Sequence, residues 1–159
     1  MKKITLILLA FFALNCGTVF AQNYDTISGA TQKADGKNMN LDQFKSALEV
    51  TSKKLTLSTV NEDGTPNAAV YGSFVNIQDN VFAVNSIAET KTTKINVMRT
   101  KLALLLLVLN EKNEDGFDGA KVVLKYIDDA DKIASYRAKM KKSSEKTTFF
   151  TVEKFLSYR

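Results

Sequence analysis

The chain has 159 residues, 45% of them hydrophobic and 25% charged. Those values fit one ordinary globular domain with a small appendage, and exclude both a disordered tail and two full domains. It has no histidine, no tryptophan and a single cysteine, Cys16. That excludes a Ser-His-Asp triad, a Cys-His nucleophile, histidine-ligated zinc or haem, and any intramolecular disulfide. Chemistry is left to carboxylates, Lys, Tyr, hydroxyls or a borrowed cofactor.

Residues 1–21 read MKKITLILLAFFALNCGTVFA. Lys2 and Lys3 make a positive start, Ile4 to Leu14 is an apolar stretch interrupted only by Thr5, and Val19-Phe20-Ala21 offers small residues where a signal peptidase cuts. The segment is expected to be a secretory signal peptide. Its apolar stretch falls short of the ~20 residues that span a bilayer, so no stable membrane span is expected after processing. An alternative makes Cys16 the acylated residue of a lipoprotein; Asn15 argues against it, because a small residue is expected just before such a cysteine. The expected location is periplasmic or secreted. Cutting after Ala21 leaves 20 basic and 17 acidic residues, a net charge of +3. Part of that excess is Arg137, Lys139, Lys141 and Lys142, at a predicted helix end where cations suit the helix dipole. No basic stripe is interleaved with aromatics, so nucleic acid is not an expected partner.

Residues 22–38 are polar and read as a flexible leader, leaving 39–159 as the domain. Asn40 is a plausible cap for a short helix with Leu41, Phe44 and Leu48 on one face. Leu55 to Val60 alternates as a strand does. Asn61-Glu62-Asp63-Gly64 reads as a turn, and Asn67 to Val75 as the returning strand, so 55–75 forms a hairpin. Asn76 to Asn80 is expected to be a polar turn before a third strand at Val81–Val84. Ile95 and Met98 mark a short helix within 89–99. Leu102 to Leu109 is an unbroken apolar run with polar flanks, predicted to be a strand covered on both faces. A fifth strand holds Val122, Leu124 and Tyr126. Asp128-Asp129 caps a helix running to Met140, with Ile133, Tyr136 and Met140 on one face. Thr147 to Tyr158 supplies one or two last strands. The resulting fold class is mainly β: about six antiparallel strands in a small closed barrel with peripheral helices. No metal site and no catalytic constellation emerges.

The ordered set LTLSTVNEDGTPNAAVYGSFV (55–75), VFAVNS (81–86), KTTKINVMRTKLALLLLV (91–108) and GAKVVLKYI (119–127) resembles the FMN-binding split-barrel family, also called pyridoxamine 5′-phosphate oxidase-like. The features that carry it are a DGxP-type turn, a basic, threonine-bearing helix start with an Asn-apolar pair, and the strongly hydrophobic strand that follows. The resemblance implies a six-stranded antiparallel split barrel that pairs as a homodimer and holds FMN in a groove between the subunits. By position, Lys91 and Thr92 would hold the phosphate, with Thr93 or Lys94 assisting. The segment is about one residue shorter than the usual pattern before Lys101, so the assignment among these four can slip by one. A helix N-terminus with a flanking Lys suits a phosphate on physical grounds as well. Val70, Tyr71 and Gly72 would pass backbone groups to the flavin ring. Asn85 would bond the flavin or its ribityl chain.

The resemblance has a break. The pyridoxamine phosphate oxidases have a basic, histidine-containing C-terminal pattern for the substrate phosphate, whereas this chain ends FFTVEKFLSYR without a histidine. Pyridoxamine phosphate oxidase activity itself is therefore not expected. The expectation is an exported FMN-dependent oxidoreductase whose small-molecule substrate and electron donor are not specified by the sequence. The alternatives are a non-catalytic flavin or small-anion binding module, and a cofactor-free dimeric scaffold.

Overall fold

The computed structural model describes residues 38–50 and 53–158. The predicted signal peptide, with Cys16 inside it, and the predicted leader up to residue 37 lie outside the described residues. The first expected helix is α1, Leu41–Glu49. Asn40 opens it with a reciprocal cap: its Oδ1 accepts from the Gln43 N–H at 2.9 Å, and Gln43 Oε1 accepts from the Asn40 N–H at 3.0 Å, which satisfies two otherwise orphaned donors. Phe44, Ala47 and Leu48 face inward.

Among the described residues, the strands are β1 Lys53–Val60, β2 Pro66–Tyr71, β3 Val75–Gln78, β4 Val81–Val84, β5 Leu102–Leu109, β6 Gly119–Tyr126 and β7 Thr148–Leu156. Two further helices, α2 Thr92–Thr100 and α3 Ala130–Lys139, interrupt them. The strands form one sheet in the order β2-β1-β5-β6-β7-β4-β3, with every neighbouring pair antiparallel.

The antiparallel barrel class holds, but the sheet has seven strands rather than six and its ladder is not closed. Both differences arise at one place. The expected second strand, 67–75, breaks after Tyr71, so β2 pairs with β1 while β3 pairs with β4 at the opposite end of the order. Six inter-strand spacings in a flat sheet would hold those edges about 29 Å apart. The chain from Tyr71 to Val75 reaches at most about 15 Å. The sheet must therefore curl until its edges approach, and residues 72–74 close the barrel covalently where hydrogen bonds do not. Phe74 anchors the crossing: it is buried, stacks on Phe82 at 5.1 Å and meets Phe44 at 6.2 Å. The expected polar turn at 76–80 shrinks accordingly. Asn76 to Gln78 joins β3, and Asp79-Asn80 alone makes the turn, with Asp79 at φ +40°.

The inner face of the sheet follows the predicted alternation. Leu55 and Leu57 of β1, Ala103, Leu105, Leu107 and Leu109 of β5, and Val122 and Leu124 of β6 are buried together with Phe82 and Phe150. The expectation that β5 is covered on both faces is corrected: Leu104, Leu106 and Val108 are only half-buried, and Leu102 is exposed. The helices that would cover a second face sit elsewhere. Ile133, Tyr136 and Met140, along α3 and at its C-cap, rest instead on a smaller cluster of Val81, Ala83, Ile127 and Phe149.

Local charges settle the turns. In the β1–β2 turn Asp63 Oδ1 accepts from the Thr65 hydroxyl at 2.6 Å and from its N–H at 2.9 Å, which hold the Asp63 carboxyl below its ordinary range. Gly64 takes φ +82° beside it. At the start of α3, Asp129 Oδ1 accepts from the Lys132 N–H at 3.0 Å and is likewise lowered by that bond.

Gly119, the first residue of β6, has no room for a side chain. A Cβ there would collide with the Leu107 carbonyl oxygen and the Tyr158 ring. Gly119→Ala is expected to lower stability by about 1–3 kcal/mol, because an overpacked site must shift backbone to relieve the clash. Urea denaturation reads this directly, and an unchanged midpoint would show that the Tyr158 ring and the β5 backbone give way freely.

Candidate functional site

The segment after β4 turns twice before α2 begins, and this places the start of α2 beside β2. Lys91 is the N-cap but makes no side-chain cap bond, and the first turn holds no acidic residue. The N–H groups of Thr92 and Thr93 therefore lack intrahelical partners at the positive end of the helix dipole. Lys91 and Thr92 are exposed, and Lys91 is in none of the ion pairs found among the described residues.

A hydrogen-bond chain fixes this helix against the hairpin. Asn96, buried on α2, donates through Nδ2 to Thr59 Oγ1 at 3.0 Å and to Asn61 Oδ1 at 2.8 Å. Asn67 of β2 donates to the same Thr59 Oγ1 at 3.0 Å and to Thr93 Oγ1 at 3.2 Å. Thr93 is thus held to β2 by one amide, and the helix to β1 by another.

Between these elements lies a cavity of about 330 Å³ lined by Asn67, Ala69, Val70, Tyr71, Gly72, Ser86, Lys91, Thr92 and Thr93. Six of the residues singled out from the sequence meet there: Val70, Tyr71 and Gly72 on one wall, Lys91, Thr92 and Thr93 on the other. Gly72 stands just past the end of β2, and the space a Cβ would enter is open to 4 Å. The structure does not bring the other two to this cavity. Asn85 accepts from the Thr147 hydroxyl at 3.2 Å, while its neighbour Ser86 lines the wall. Lys94 leaves α2 in another direction and lines a second cavity with Tyr126 and Thr148. One residue of helix rotates a side chain by about 100°, so consecutive residues Thr93 and Lys94 serve different cavities. Asn67, Ala69 and Ser86 were not anticipated. The period of β2 carries a signal for the first two: Asn67, Ala69 and Tyr71 share its half-buried face while Ala68 and Val70 stand exposed, and a polar residue in that phase marks a lined cavity.

Among the described residues no group of three or more His, Cys, Asp or Glu side chains could hold a metal ion, and no helix is long and apolar enough to cross a membrane.

No protein-family model matches the sequence, and no curated protein sequence does. Solved structures do match. HupZ from Group A Streptococcus is 18% identical, with 76% of this chain and 96% of that chain aligned and a TM-score of 0.53. An FMN-binding protein from Syntrophomonas wolfei subsp. wolfei is 14% identical, with 86% and 91% aligned and a TM-score of 0.50. The chain has the split-barrel fold. The conserved hypothetical protein Rv2991 from Mycobacterium tuberculosis shares this split barrel at 13% identity, 80% and 90% coverage, and a TM-score of 0.50. At these identities the likeness concerns architecture, and what a split barrel does is argued from its site.

Proposed function

We propose that this split barrel is an exported flavoprotein that binds FMN in the first cavity and works as a homodimeric oxidoreductase. One observation carries the reading: the uncapped start of α2, with Lys91 beside it, and the open end of β2 at Gly72 wall the same cavity. An FMN phosphate carries close to two negative charges and suits the first feature. A flat ring needs close approach to backbone, which the second permits. Lys91 and Thr92 would hold the phosphate, Thr93 stands behind them, and Val70, Tyr71 and Gly72 would carry the ring. Among the described residues that line the cavity there is no carboxylate to repel an anion; the titratable side chains there are Lys91 and Tyr71. Hydride and electron transfer are the chemistry FMN supplies when bound, so the lining need only bind and orient it.

Size and surface support the homodimer. A cavity of about 330 Å³ sits at the low end of small-molecule sites, about 300–1,000 Å³, so part of a flavin would need a wall from elsewhere. The adjoining outer face of the sheet carries apolar side chains alternating with small hydroxyl ones. Val70, 77% exposed, lies in register with Thr56, and Thr56 with Leu106. Ala68, Ser58 and Leu104 form the next row. A second copy seated there would cover Val70 and complete the cavity.

The test is an absorption spectrum of the purified full chain followed by titration with FMN and with riboflavin. FMN is expected to bind saturably, and riboflavin, which lacks the phosphate, at least about tenfold more weakly. Equal affinities would remove the anion-binding role of α2. Reduction of the bound flavin by a nicotinamide cofactor would separate an oxidoreductase from a non-catalytic flavin module. A colourless protein indifferent to FMN would be a dimeric scaffold.

A further inference from the structure

The second cavity has a charge arrangement that the flavin reading does not use. Its volume is about 310 Å³, and its walls come from α3, the strand ends of β6 and β7, and Lys94 of α2. Lys94 is 5% exposed. Its ammonium meets only long contacts: the Tyr126 hydroxyl at 3.3 Å, Thr148 Oγ1 at 3.4 Å and the Glu89 carboxylate at 3.5 Å. It also stands 4.9 Å from the centre of the Tyr126 ring. Charge-assisted bonds usually close to about 2.7–2.9 Å, so this ammonium is surrounded but loosely held.

Arg137 enters the same cavity from α3. Its Nη2 donates to the Glu145 carbonyl at 3.3 Å, but its Nε is buried with no hydrogen-bond partner, and it makes none of the ion pairs found among the described residues. A buried donor left unmade costs about 1–3 kcal/mol, and native structures seldom retain one without a reason. The carboxylates nearby do not answer it. Asp128 is bound by Lys101 at 2.7 Å, which holds its carboxyl below the ordinary range, and Glu89 is turned to Lys94. Apart from Thr147, the remaining walls are apolar: Ile127, Ala130, Ile133, Ala134 and Phe149.

We propose that this second cavity is a binding site for a small carboxylate with an apolar body. The carboxylate would pair with the Arg137 guanidinium, which must turn its buried Nε toward the cavity to donate, and approach the Lys94 ammonium, and the body would lie on Ile133, Ala134 and Phe149. The proposal stands apart from the flavin reading, since the two cavities share no lining residue.

Calorimetric titration of the full chain with benzoate tests it, with benzamide as the uncharged isostere and inorganic phosphate as an anion without an apolar body. Benzoate is expected to saturate at one per chain, and benzamide and phosphate to bind at least about tenfold more weakly. Arg137→Gln should weaken benzoate by about tenfold or more, and Ala134→Phe, on the exposed side of α3, should block it by filling the cavity. Both variants should keep the FMN affinity of the parent chain, so a loss of benzoate binding with FMN binding intact locates the site. Benzoate binding that is absent, that survives both substitutions, or that benzamide or phosphate equals would overturn the proposal. Failure of FMN to bind any form would leave it standing and remove only the flavin reading.

Discussion

Phe44→Ala is expected to cost the fold about 3–5 kcal/mol, the range for removing a fully buried aromatic side chain. Phe44 is 0% exposed and touches three other rings: Phe74 at 6.2 Å, Phe82 at 5.5 Å and Phe155 at 5.6 Å. The three rings come from three different parts of the chain. They tie α1 to the crossing at 72–74, to β4 and to β7, so the cavity left behind could collapse only by moving parts that are far apart in the chain. Phe74 would lose one of the two rings that hold it inside, and the crossing that closes the barrel would loosen with it. A typical domain has about 5–15 kcal/mol in total, so the variant should unfold at a much lower urea concentration. Glu49→Ala, on the exposed last turn of the same helix, should stay within about 0.5 kcal/mol. A loss below about 1 kcal/mol for Phe44→Ala would mean that α1 is dispensable to the core.

The same ring cluster shows where sequence reading reached and where it stopped. Phe44 was legible because helical spacing puts it on one face with Leu48. β1, β4, β5 and α2 were legible because alternation, an apolar run and polar flanks each mark a local period. The break at 72–74 was not. Asn67 to Val75 looks like one continuous strand, and nothing local says that Phe74 points into the barrel while the strand changes partners; the decision comes from Phe82 and Phe44, distant in sequence. The outer face of β5 failed for a related reason. An eight-residue apolar run is what a strand covered on both faces requires, yet the structure fully buries only one face. The unused apolarity of Leu104 and Leu106 lies across β1 from Ala68 and Val70, on the face where the proposed second copy would sit.

The first cavity was readable to within one residue of helix phase. The motif placed four candidates at the start of α2, but composition cannot say which way each side chain leaves the axis. Asn67 decides it by bonding Thr93, which points Thr93 at β2. Lys94, the next residue, is thereby turned to the Tyr126 side. Asn85 was placed by strand order alone, and the residue after it, Ser86, is the one that lines the wall.

Lys91→Ala is expected to weaken FMN by about 1.5–3 kcal/mol, roughly 10- to 150-fold in Kd. Lys91 is the exposed cation at this helix start, with no ion pair to any described carboxylate, so a bound phosphate would be its first strong acceptor. Three comparisons make the result specific to that bond. Riboflavin has no phosphate, so its affinity should not change in the variant. Lys125→Ala removes an exposed charge from β6, away from the cavity lining, and should leave FMN binding unchanged; a general loss of positive field would lower both. Added salt should weaken FMN binding to the parent chain more steeply than to Lys91→Ala, because screening acts on the charge that the variant lacks. Thermal unfolding of Lys91→Ala without ligand should match the parent, since the side chain caps nothing and leaves no partner behind. Flavin fluorescence quenching reads each affinity. An FMN affinity that Lys91→Ala does not move would return Lys91 to a solvated helix face and leave Thr92 and the free N–H groups as the only phosphate donors at this end of α2.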